Sequence, residues 1–375
     1  MKPSLRCRRA LPTLLLALAV VAGVSACSPA AAESASTGSP VATLENCPGS
    51  ATPLADLDLL EPRAAEGPAT ACLPETGIEP ITAHAKPRLP VTLTDDDGTE
   101  VTVTDASRIL PLDITGTIAA TVFSLGLGDR VVGRDSSTGF AEAADLPVVT
   151  ANGHELSAEA VLSLRPTVIV TDTTLGSRDV LLQLREAGIT LVVVTSERSI
   201  EHTGTIIGQV AEALGVPDLG TALAERVAAD TAATVSAIAA IAPADAADRP
   251  RILFLYVRGS ANIYYIFGAE SGADSLITSL GGIDVATEIG WQGMKPLTAE
   301  ALVDAAPDVL LVMTKGLESA GGVDGLIDRV PAIAATPAGE HRRIVDMADD
   351  QILSFGPRTP QVLDALARAL YAPPA

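Results

Sequence analysis

One stretch of fourteen residues occurs twice in this chain. Residues 157–170 (SAEAVLSLRPTVIV) match residues 298–311 (TAEALVDAAPDVLL) position by position. In each copy a Ser or Thr is placed as a helix N-cap, a Glu follows in the first turn where the helix dipole favours it, and a proline precedes an apolar run. A helix followed by a buried strand, repeated in this way, predicts two similar α/β lobes.

The segments around both copies alternate in the same manner. Short apolar runs are separated by helical stretches, which is the pattern of βαβ units built around a parallel sheet. Between the two series, residues 219–241 are rich in alanine with interspersed charges and predict one helix of roughly 35 Å at 1.5 Å per residue. The predicted fold class is α/β, with two Rossmann-like lobes, each around a mostly parallel sheet, joined by a single long helix.

Composition and turn signals divide the rest of the chain. Residues 28–45 are mostly Ala, Ser, Thr, Gly and Pro and predict a tether, because such a segment cannot bury enough apolar surface to order itself. Asp97-Gly98 predicts a hairpin that opens the folded body. The predicted boundaries are a lipoprotein signal peptide at 1–26, a tether and disulfide-containing extension at 27–88, an N-terminal lobe at 89–217, a linking helix at 218–243 and a C-terminal lobe at 244–375.

The first residues carry a targeting signal. Four basic residues precede the apolar run 11–24, which leads into Val24-Ser25-Ala26-Cys27. The run is too short for a usual transmembrane span, and the small residues before Cys27 resemble a bacterial lipobox. We therefore expect cleavage before Cys27, a lipid on that cysteine, and an extracytoplasmic protein anchored to the outer face of the cell membrane. An ordinary cleaved signal peptide is the alternative.

Cysteine content and charge limit the possible functions. Only Cys47 and Cys72 follow the predicted lipidation site, and in an oxidising compartment a disulfide between them is the simplest interpretation. The net charge of −21 argues against nucleic acid as a partner, because phosphates need a basic surface. The same charge predicts docking to basic partner surfaces.

A tyrosine and an arginine stand two residues apart where a predicted strand ends. On an extended segment, Tyr256 and Arg258 point to the same face. A neighbouring cation favours the phenolate form of a tyrosine, and a phenolate is a hard anionic ligand that ferric iron accepts. The pair predicts an iron site. The alternative is an ordinary tyrosine that packs its ring at the end of a strand, beside an arginine that reaches solvent.

From Pro90 to the C-terminus, the chain resembles the helical-backbone class of periplasmic binding proteins, which serve ABC importers of siderophores, haem and cobalamin. Within this class it is similar to the haem-binding lipoproteins of actinobacterial, corynebacterial-type haem uptake. Three stretches carry that similarity: 152–157 (NGHELS), 255–259 (LYVRG) and 312–319 (VMTKGLES). The resemblance implies transport of haem, ferric protoporphyrin IX, without catalysis.

The resemblance also implies roles for individual residues. In that family a His from the first lobe and a Tyr from the second hold the haem iron in the cleft, and an Arg beside the Tyr hydrogen-bonds the phenolate. By position, these residues are His154, Tyr256 and Arg258. Further candidates for the haem pocket are Met313, Met294, Trp291 and Tyr265.

The expected partners follow from the same class. One surface Glu from each lobe forms a salt bridge with the permease dimer, and the repeat places these residues at Glu159 and Glu300. Both could instead only stabilise the starts of their helices. The resemblance implies an ABC permease dimer with its ATPase, upstream surface haem-binding proteins, and the membrane through the lipid anchor.

Other functions remain open from the sequence. The same fold could bind a ferric siderophore or a corrinoid, neither of which needs the His154–Tyr256 pair. A free metal ion is disfavoured, because three or four His or carboxylate ligands at suitable positions are not visible. An extracytoplasmic enzyme that modifies haem or another tetrapyrrole could also have two such lobes, but the sequence has no nucleophile elbow, phosphate loop or HExxH motif.

Overall fold

The computed structural model describes residues 52–73, 77–151 and 153–373, which all belong to the unit formed by residues 38–375. The predicted signal peptide, Cys27, Cys47 and the tether at 28–45 lie outside the described residues. Within the described ranges, no helix combines the length and apolarity needed to cross a membrane.

The extension before the first lobe packs against the C-terminal part of the chain. Strand β1 (Ala69–Ala71) pairs in parallel with the strand at residues 344–347, and the N–H of Leu60 donates to the carbonyl of Tyr371 at 2.8 Å. Cys72, directly after β1, is disulfide-bonded, while its predicted partner Cys47 is outside the described residues. The short sequence Ala-Thr-Ala did not indicate a strand.

The predicted hairpin at the start of the folded body is confirmed. Strands β2 (Val91–Thr94) and β3 (Glu100–Val103) pair antiparallel. The turn between them needs Gly98, which adopts a φ of 76° that glycine reaches without steric cost.

The first lobe is built on a three-stranded parallel sheet in the order β4-β7-β8. Its helix α4 was not predicted, because two glycines lower the helix propensity of that segment. Burial of Ile206, Ile207 and Val210 nevertheless stabilises it. The elements of this lobe are β4 (Ile109–Leu112), α1 (Thr117–Ser124), β5 (Thr150–Ala151), β6 (Glu155–Leu156), α2 (Ala158–Leu164), β7 (Val168–Thr171), α3 (Arg178–Glu186), β8 (Thr190–Val193) and α4 (Thr203–Ala213).

The long linking helix is confirmed. Helix α5 (Pro217–Ile241) has 25 residues, about 37 Å at 1.5 Å per residue, and begins with a proline at its first position, where the missing N–H costs nothing. A Cβ added at Gly220 would lie 2.3 Å from the Cβ of Ala211. Glycine at this position therefore lets α5 pack closely on α4.

The second lobe contains a larger sheet. Its strand order is β1-β14-β13-β9-β10-β12, with β11 also paired to β9; β10 is antiparallel to β9 and β12, and the other pairs are parallel. The sheet is thus mostly parallel, as predicted. The elements are β9 (Arg251–Arg258), β10 (Ile263–Phe267), α6 (Ala273–Ser279), β11 (Ile283–Asp284), α7 (Val285–Glu288), β12 (Met294–Pro296), α8 (Ala299–Ala305), β13 (Val309–Met313), α9 (Thr314–Ala320), α10 (Gly322–Arg329), α11 (Pro337–Glu340), β14 (Ile344–Met347) and α12 (Thr359–Tyr371).

The internal repeat is reproduced in detail by α2 and α8. Ser157 Oγ accepts the N–H of Ala160 at 3.2 Å, and Thr298 Oγ1 accepts the N–H of Ala301 at 3.2 Å. Both helices end in a left-handed residue directly before a proline, with a φ of 48° at Arg165 and 41° at Ala306. The two lobes therefore use the same helix start, helix end and following buried strand.

Candidate functional site

Tyr256 lies near the carboxyl end of β9, on the face of the sheet that carries the core beneath α12. Alternate residues of β9 point to this face, and their burial decreases along the strand: Phe254 is buried, Tyr256 is half-buried and Arg258 is exposed. The strand continues through Arg258. Tyr256 and Arg258 therefore share a face, and this face opens to solvent at its carboxyl end.

The ring of Tyr256 packs against two other aromatic rings. It stacks on Phe267, with centroids 6.1 Å apart and planes at 16°, and it contacts Tyr265 at 6.4 Å. Tyr265 is the residue opposite Tyr256 in the register of β9 and β10. Phe267 was not identified from the sequence, since only the register of the hairpin places it under Tyr256. These contacts support the ring along one side.

Two methionines lie on the same face as Tyr256. Met313 ends β13, the strand next to β9, and packs with Phe267 against the core cluster below. Met294 pairs with Phe267 in the register of β12 and β10, and the residue is 58% exposed. An apolar side chain left this exposed near an aromatic cluster provides surface for an apolar ligand.

Trp291 lies elsewhere. It packs against the cluster that contains Leu255 and Val257, on the opposite face of the sheet, and the ammonium of Lys295 lies 5.8 Å from its ring centroid. The structure therefore brings Tyr265, Met313 and Met294 to the face of Tyr256, and it does not bring Trp291 there.

His154 lies in the turn between β5 and β6 of the first lobe. Ser136 holds this hairpin: its hydroxyl donates to the carbonyl of Gly153, and its N–H donates to Thr150 Oγ1 at 2.9 Å. Gly153 adopts a φ of 93°, a conformation that a residue with a side chain rarely reaches. His154 is exposed in this short hairpin.

The His154 turn and the end of β9 face each other across the cleft. Nη2 of Arg258 lies 3.7 Å from the position that a Cβ on Gly153 would occupy. Lys315 and Asp349, at the carboxyl ends of β13 and β14, lie near the same place, and the N–H of Lys315 donates to Asp349 Oδ1 at 2.9 Å. Residues far apart in the sequence therefore converge on one inter-lobe site.

Burial and neighbouring charges lower the pKa of His154 and so favour its neutral form. Partial shielding of the ring from water lowers its pKa below 6.5, the Arg258 guanidinium lowers it further, and the Lys315 ammonium adds to this, while the Asp349 carboxylate opposes them. A lowered pKa for histidine means that more of the imidazole is neutral at pH 7. Only the neutral imidazole can coordinate a metal ion.

We expect opposite effects on His154 from two charge-removing substitutions. Arg258→Gln removes a cation and should raise the pKa of His154, whereas Asp349→Asn removes an anion and should lower it. The measurement is an NMR pH titration of the histidine ring protons in the ligand-free protein, with His202 as an internal reference. Shifts in the same direction, or no shift in either variant, would contradict the placement of these groups around His154.

A buried charge cluster lies at the carboxyl ends of the first-lobe strands. Asp113, Asp135 and Asp172 are each at most 2% exposed. Arg198 forms ion pairs with Asp172 and with Asp113, the latter at 3.5 Å. Burial, reinforced by the charge of Asp113, raises the pKa of Asp135 to about 7 and that of Asp172 to about 6. One cation, Arg198, therefore pairs with two of the three buried carboxyl groups.

The same cluster supports a contact between the lobes. Just after Arg198, the N–H of Ile200 donates to Ser275 Oγ at 3.1 Å, and that hydroxyl donates to Glu201 Oε2 at 3.1 Å. Ser275 is on α6 of the second lobe. Exposed Ile114, at the end of β4, adds an apolar side chain to the first-lobe edge, and sequence analysis did not identify it.

Glu159 and Glu300 lie in the first turns of α2 and α8, and both are exposed. Within the described part of the chain, no group of three or more His, Cys, Asp or Glu side chains is arranged to hold a metal ion. The candidate site therefore has one imidazole and one phenol on facing lobes, with the Arg258 guanidinium near the His154 turn and apolar side chains on the face of Tyr256.

Comparisons with known proteins show which family the chain resembles and which solved structures are similar to it. Residues 114–351 match the model of a family described as "Periplasmic binding protein". A crystal structure of the heme binding protein HmuT is 41% identical with a TM-score of 0.78, covering 83% of this chain and 99% of that one. Structures of HmuT variants have a single arginine, tyrosine or histidine replaced by alanine, and the tyrosine and arginine are two residues apart.

Two further relatives are similar. The periplasmic heme-binding protein RhuT from Roseiflexus sp. RS-1, in its apo form, is 40% identical with a TM-score of 0.64, covering 71% of this chain and 98% of RhuT. The "Uncharacterized ABC transporter substrate-binding lipoprotein YvrC" of Bacillus subtilis is 25% identical over 290 residues, 75% of this chain and 86% of YvrC.

Proposed function

The chain belongs to the periplasmic binding protein family, and from this membership we propose that it captures haem between its two lobes and delivers it to an ABC permease. The observation that carries the proposal is the convergence of the His154 turn with the Tyr256–Arg258 strand end across the cleft. HmuT, a heme-binding protein by name, has a tyrosine and an arginine two residues apart and a histidine that were each replaced individually. The same three residue types occur here, and Tyr256 and Arg258 are likewise two residues apart.

In this proposal His154 and Tyr256 are the two axial ligands of ferric haem iron. A neutral imidazole and a phenolate together occupy both faces of the iron and leave no open position for oxygen chemistry. Such a site suits carriage rather than catalysis. The lowered pKa of His154 favours coordination of the iron, because a neutral imidazole has no proton to lose before it binds the metal.

Arg258 is proposed to hold the phenolate. Its guanidinium stays charged at all relevant pH values and can only donate hydrogen bonds, so on the same face as Tyr256 it would stabilise the anionic oxygen. The porphyrin would then contact Met313, Met294 and Tyr265, which lie on that face. Trp291, on the opposite face, has no part in this contact.

Hemin titration of the purified protein tests the proposal. We expect a saturable haem spectrum with the charge-transfer band of a phenolate bound to ferric iron. The variant His154→Ala should bind more weakly and show an altered iron spin state, while His84→Ala, on the exposed surface, should bind as the wild type does. Absence of haem binding, together with tight binding of a ferric siderophore or a corrinoid, would overturn it.

The location and partners are proposed from the relatives and the N-terminus. YvrC is named as a substrate-binding lipoprotein, and the lipobox-like Ser25-Ala26-Cys27 has the same implication. We propose a lipid anchor on Cys27 at the outer face of the cell membrane, an ABC permease dimer with its ATPase as the partner, and upstream surface haem-binding proteins as donors.

Glu159 and Glu300 are proposed to bind basic residues of the permease. Their exposure and their equivalent positions in the two lobes suit a partner with two-fold symmetry. Replacing both with Lys should abolish haem uptake by cells and leave the hemin affinity of the purified protein unchanged. The matched control is Glu212→Lys/Glu225→Lys. These two glutamates line a groove between α4 and α5. Normal uptake by Glu159→Lys/Glu300→Lys would argue that these residues only cap their helices.

A further inference from the structure

Two exposed aliphatic side chains occupy equivalent positions in the internal repeat. Leu162 on α2 is 38% exposed and Val303 on α8 is 45% exposed. The offset between them is the same as the offset between Glu159 and Glu300. A single exposed aliphatic residue is common on protein surfaces, whereas recurrence at matched positions of two lobes indicates a shared role.

The geometry of α2 and α8 places each aliphatic residue beside its glutamate. Residues three apart on a helix lie on the same face, so Leu162 neighbours Glu159 and Val303 neighbours Glu300. The residues just before the aliphatic pair, Val161 and Leu302, are fully buried. Each helix therefore turns one apolar side inward and presents a carboxylate with an aliphatic side chain outward.

We propose that Leu162 and Val303 are the apolar contacts by which the protein holds its permease dimer, each seated beside the glutamate of its own lobe. This inference rests on the proposed function, which supplies the permease as the partner. A homodimeric partner presents the same surface twice about its two-fold axis, and the two lobes present the same pair of side chains twice. Interfaces of this kind combine a desolvated apolar centre with charges at the rim.

The charge of the surface distinguishes this partner from others. A second copy of the chain, docked through the same face, would bring glutamate against glutamate, and a bilayer with anionic lipids would repel both carboxylates. The net charge of −21 adds to this repulsion. A basic permease surface with apolar depressions is complementary in both respects.

Charge and apolar contact should control different rate constants. Long-range attraction by Glu159 and Glu300 affects association and weakens as salt rises, whereas desolvated aliphatic contacts affect dissociation. Leu162→Asn/Val303→Asn is therefore expected to speed dissociation from the permease about tenfold, with little change in association rate or salt dependence. Each single variant should have an intermediate effect.

The experiment measures binding of the hemin-loaded protein to the host's permease–ATPase complex in nanodiscs by surface plasmon resonance. The matched control is Leu59→Asn/Leu60→Asn, which replaces two aliphatic residues of 44% and 45% exposure outside both helices. Dissociation of Leu162→Asn/Val303→Asn at the rate of the wild type or the control overturns the inference. Loss of a wild-type dimer in this variant, seen by analytical ultracentrifugation, would also overturn it by assigning the surface to self-association.

Hemin titration of the same variants separates the two proposals. If Leu162→Asn/Val303→Asn binds hemin normally and dissociates faster from the permease, both the function and the surface are supported. If the wild type binds no hemin, the haem proposal fails, and the same dissociation measurement on the hemin-free wild type and variants then tests the docking surface by itself. If Leu162→Asn/Val303→Asn binds hemin normally and dissociates from the permease at the wild-type rate, only the proposed docking surface is refuted.

Discussion

Tyr256→Phe is expected to weaken hemin binding by at least about 100-fold, because loss of a metal ligand should exceed the 10- to 100-fold loss typical of groups that only support a ligand. The phenylalanine ring can keep the stacking on Phe267 and the contact with Tyr265. The substitution therefore removes the oxygen and little else. The phenolate-to-iron charge-transfer band should disappear with the affinity.

Tyr264→Phe is the matched control for this variant. Tyr264 is the next residue of β10 before Tyr265, but it packs on the opposite face of the sheet, and its buried hydroxyl has no hydrogen-bond partner among the described residues. Removing that oxygen should leave the haem spectrum unchanged. If Tyr256→Phe keeps the charge-transfer band while Tyr264→Phe or Tyr265→Phe loses it, the assigned ligand is wrong.

Arg198→Met is expected to lower the free energy of unfolding by about 3–5 kcal/mol, the usual cost of removing one partner from a buried ion pair. The guanidinium is the cation paired with Asp113 and Asp172, whose side chains are almost fully buried. Without it, their carboxylates stay in a medium of low polarity. Urea unfolding monitored by circular dichroism measures the loss.

The loss of unfolding free energy in Arg198→Met is expected to grow as the pH rises. The pKa values of Asp135 and Asp172 are raised to about 7 and about 6, above the unfolded value of about 3.9. The native state therefore binds more protons than the unfolded state in this range, and stability falls as the pH rises from about 4 to about 7. Arg198→Met should steepen this fall, so its deficit is largest at pH 8 and smaller at pH 5.

An exposed ion pair provides the comparison. Arg88 and Asp218 are paired with side chains that are 71% and 78% exposed, and such pairs contribute about 0–1 kcal/mol. Arg88→Met should change the unfolding free energy by no more than this at either pH. Equal losses in Arg88→Met and Arg198→Met would show that the buried carboxyls do not depend on Arg198.

The repeat shows how much of the fold is readable from sequence. Ser157 and Thr298 were expected to cap two equivalent helices, and both accept the hydrogen bond that defines a cap. Such features depend on residues within one turn of helix, so a contiguous stretch of sequence contains them. The added strand β1 was missed because it pairs with β14, whose residues lie 276 positions further along the chain (Ala69 opposite Val345).

The candidate site could be predicted only in part from the sequence. Alternation along an extended segment placed Tyr256 and Arg258 on one face, and the structure agrees. The stacking of Phe267 on Tyr256 required the register of a hairpin, and Trp291, a candidate for the same pocket, belongs to the other face. A sequence shows which side chains of one strand share a face of the sheet. The residues that line a pocket also depend on which strands become neighbours.

The sequence by itself determined the two-lobe α/β plan, the linking helix and the alternation that joins Tyr256 to Arg258, because periodicity and capping act between residues close along the chain. Only the tertiary structure decided that the His154 turn meets Arg258 across the cleft, that Asp349 and Lys315 join them, and that one arginine pairs with two of three clustered, buried aspartates. These contacts depend on how the strand ends of two separate sheets come together. Local sequence patterns contain no information about the distance between those strand ends.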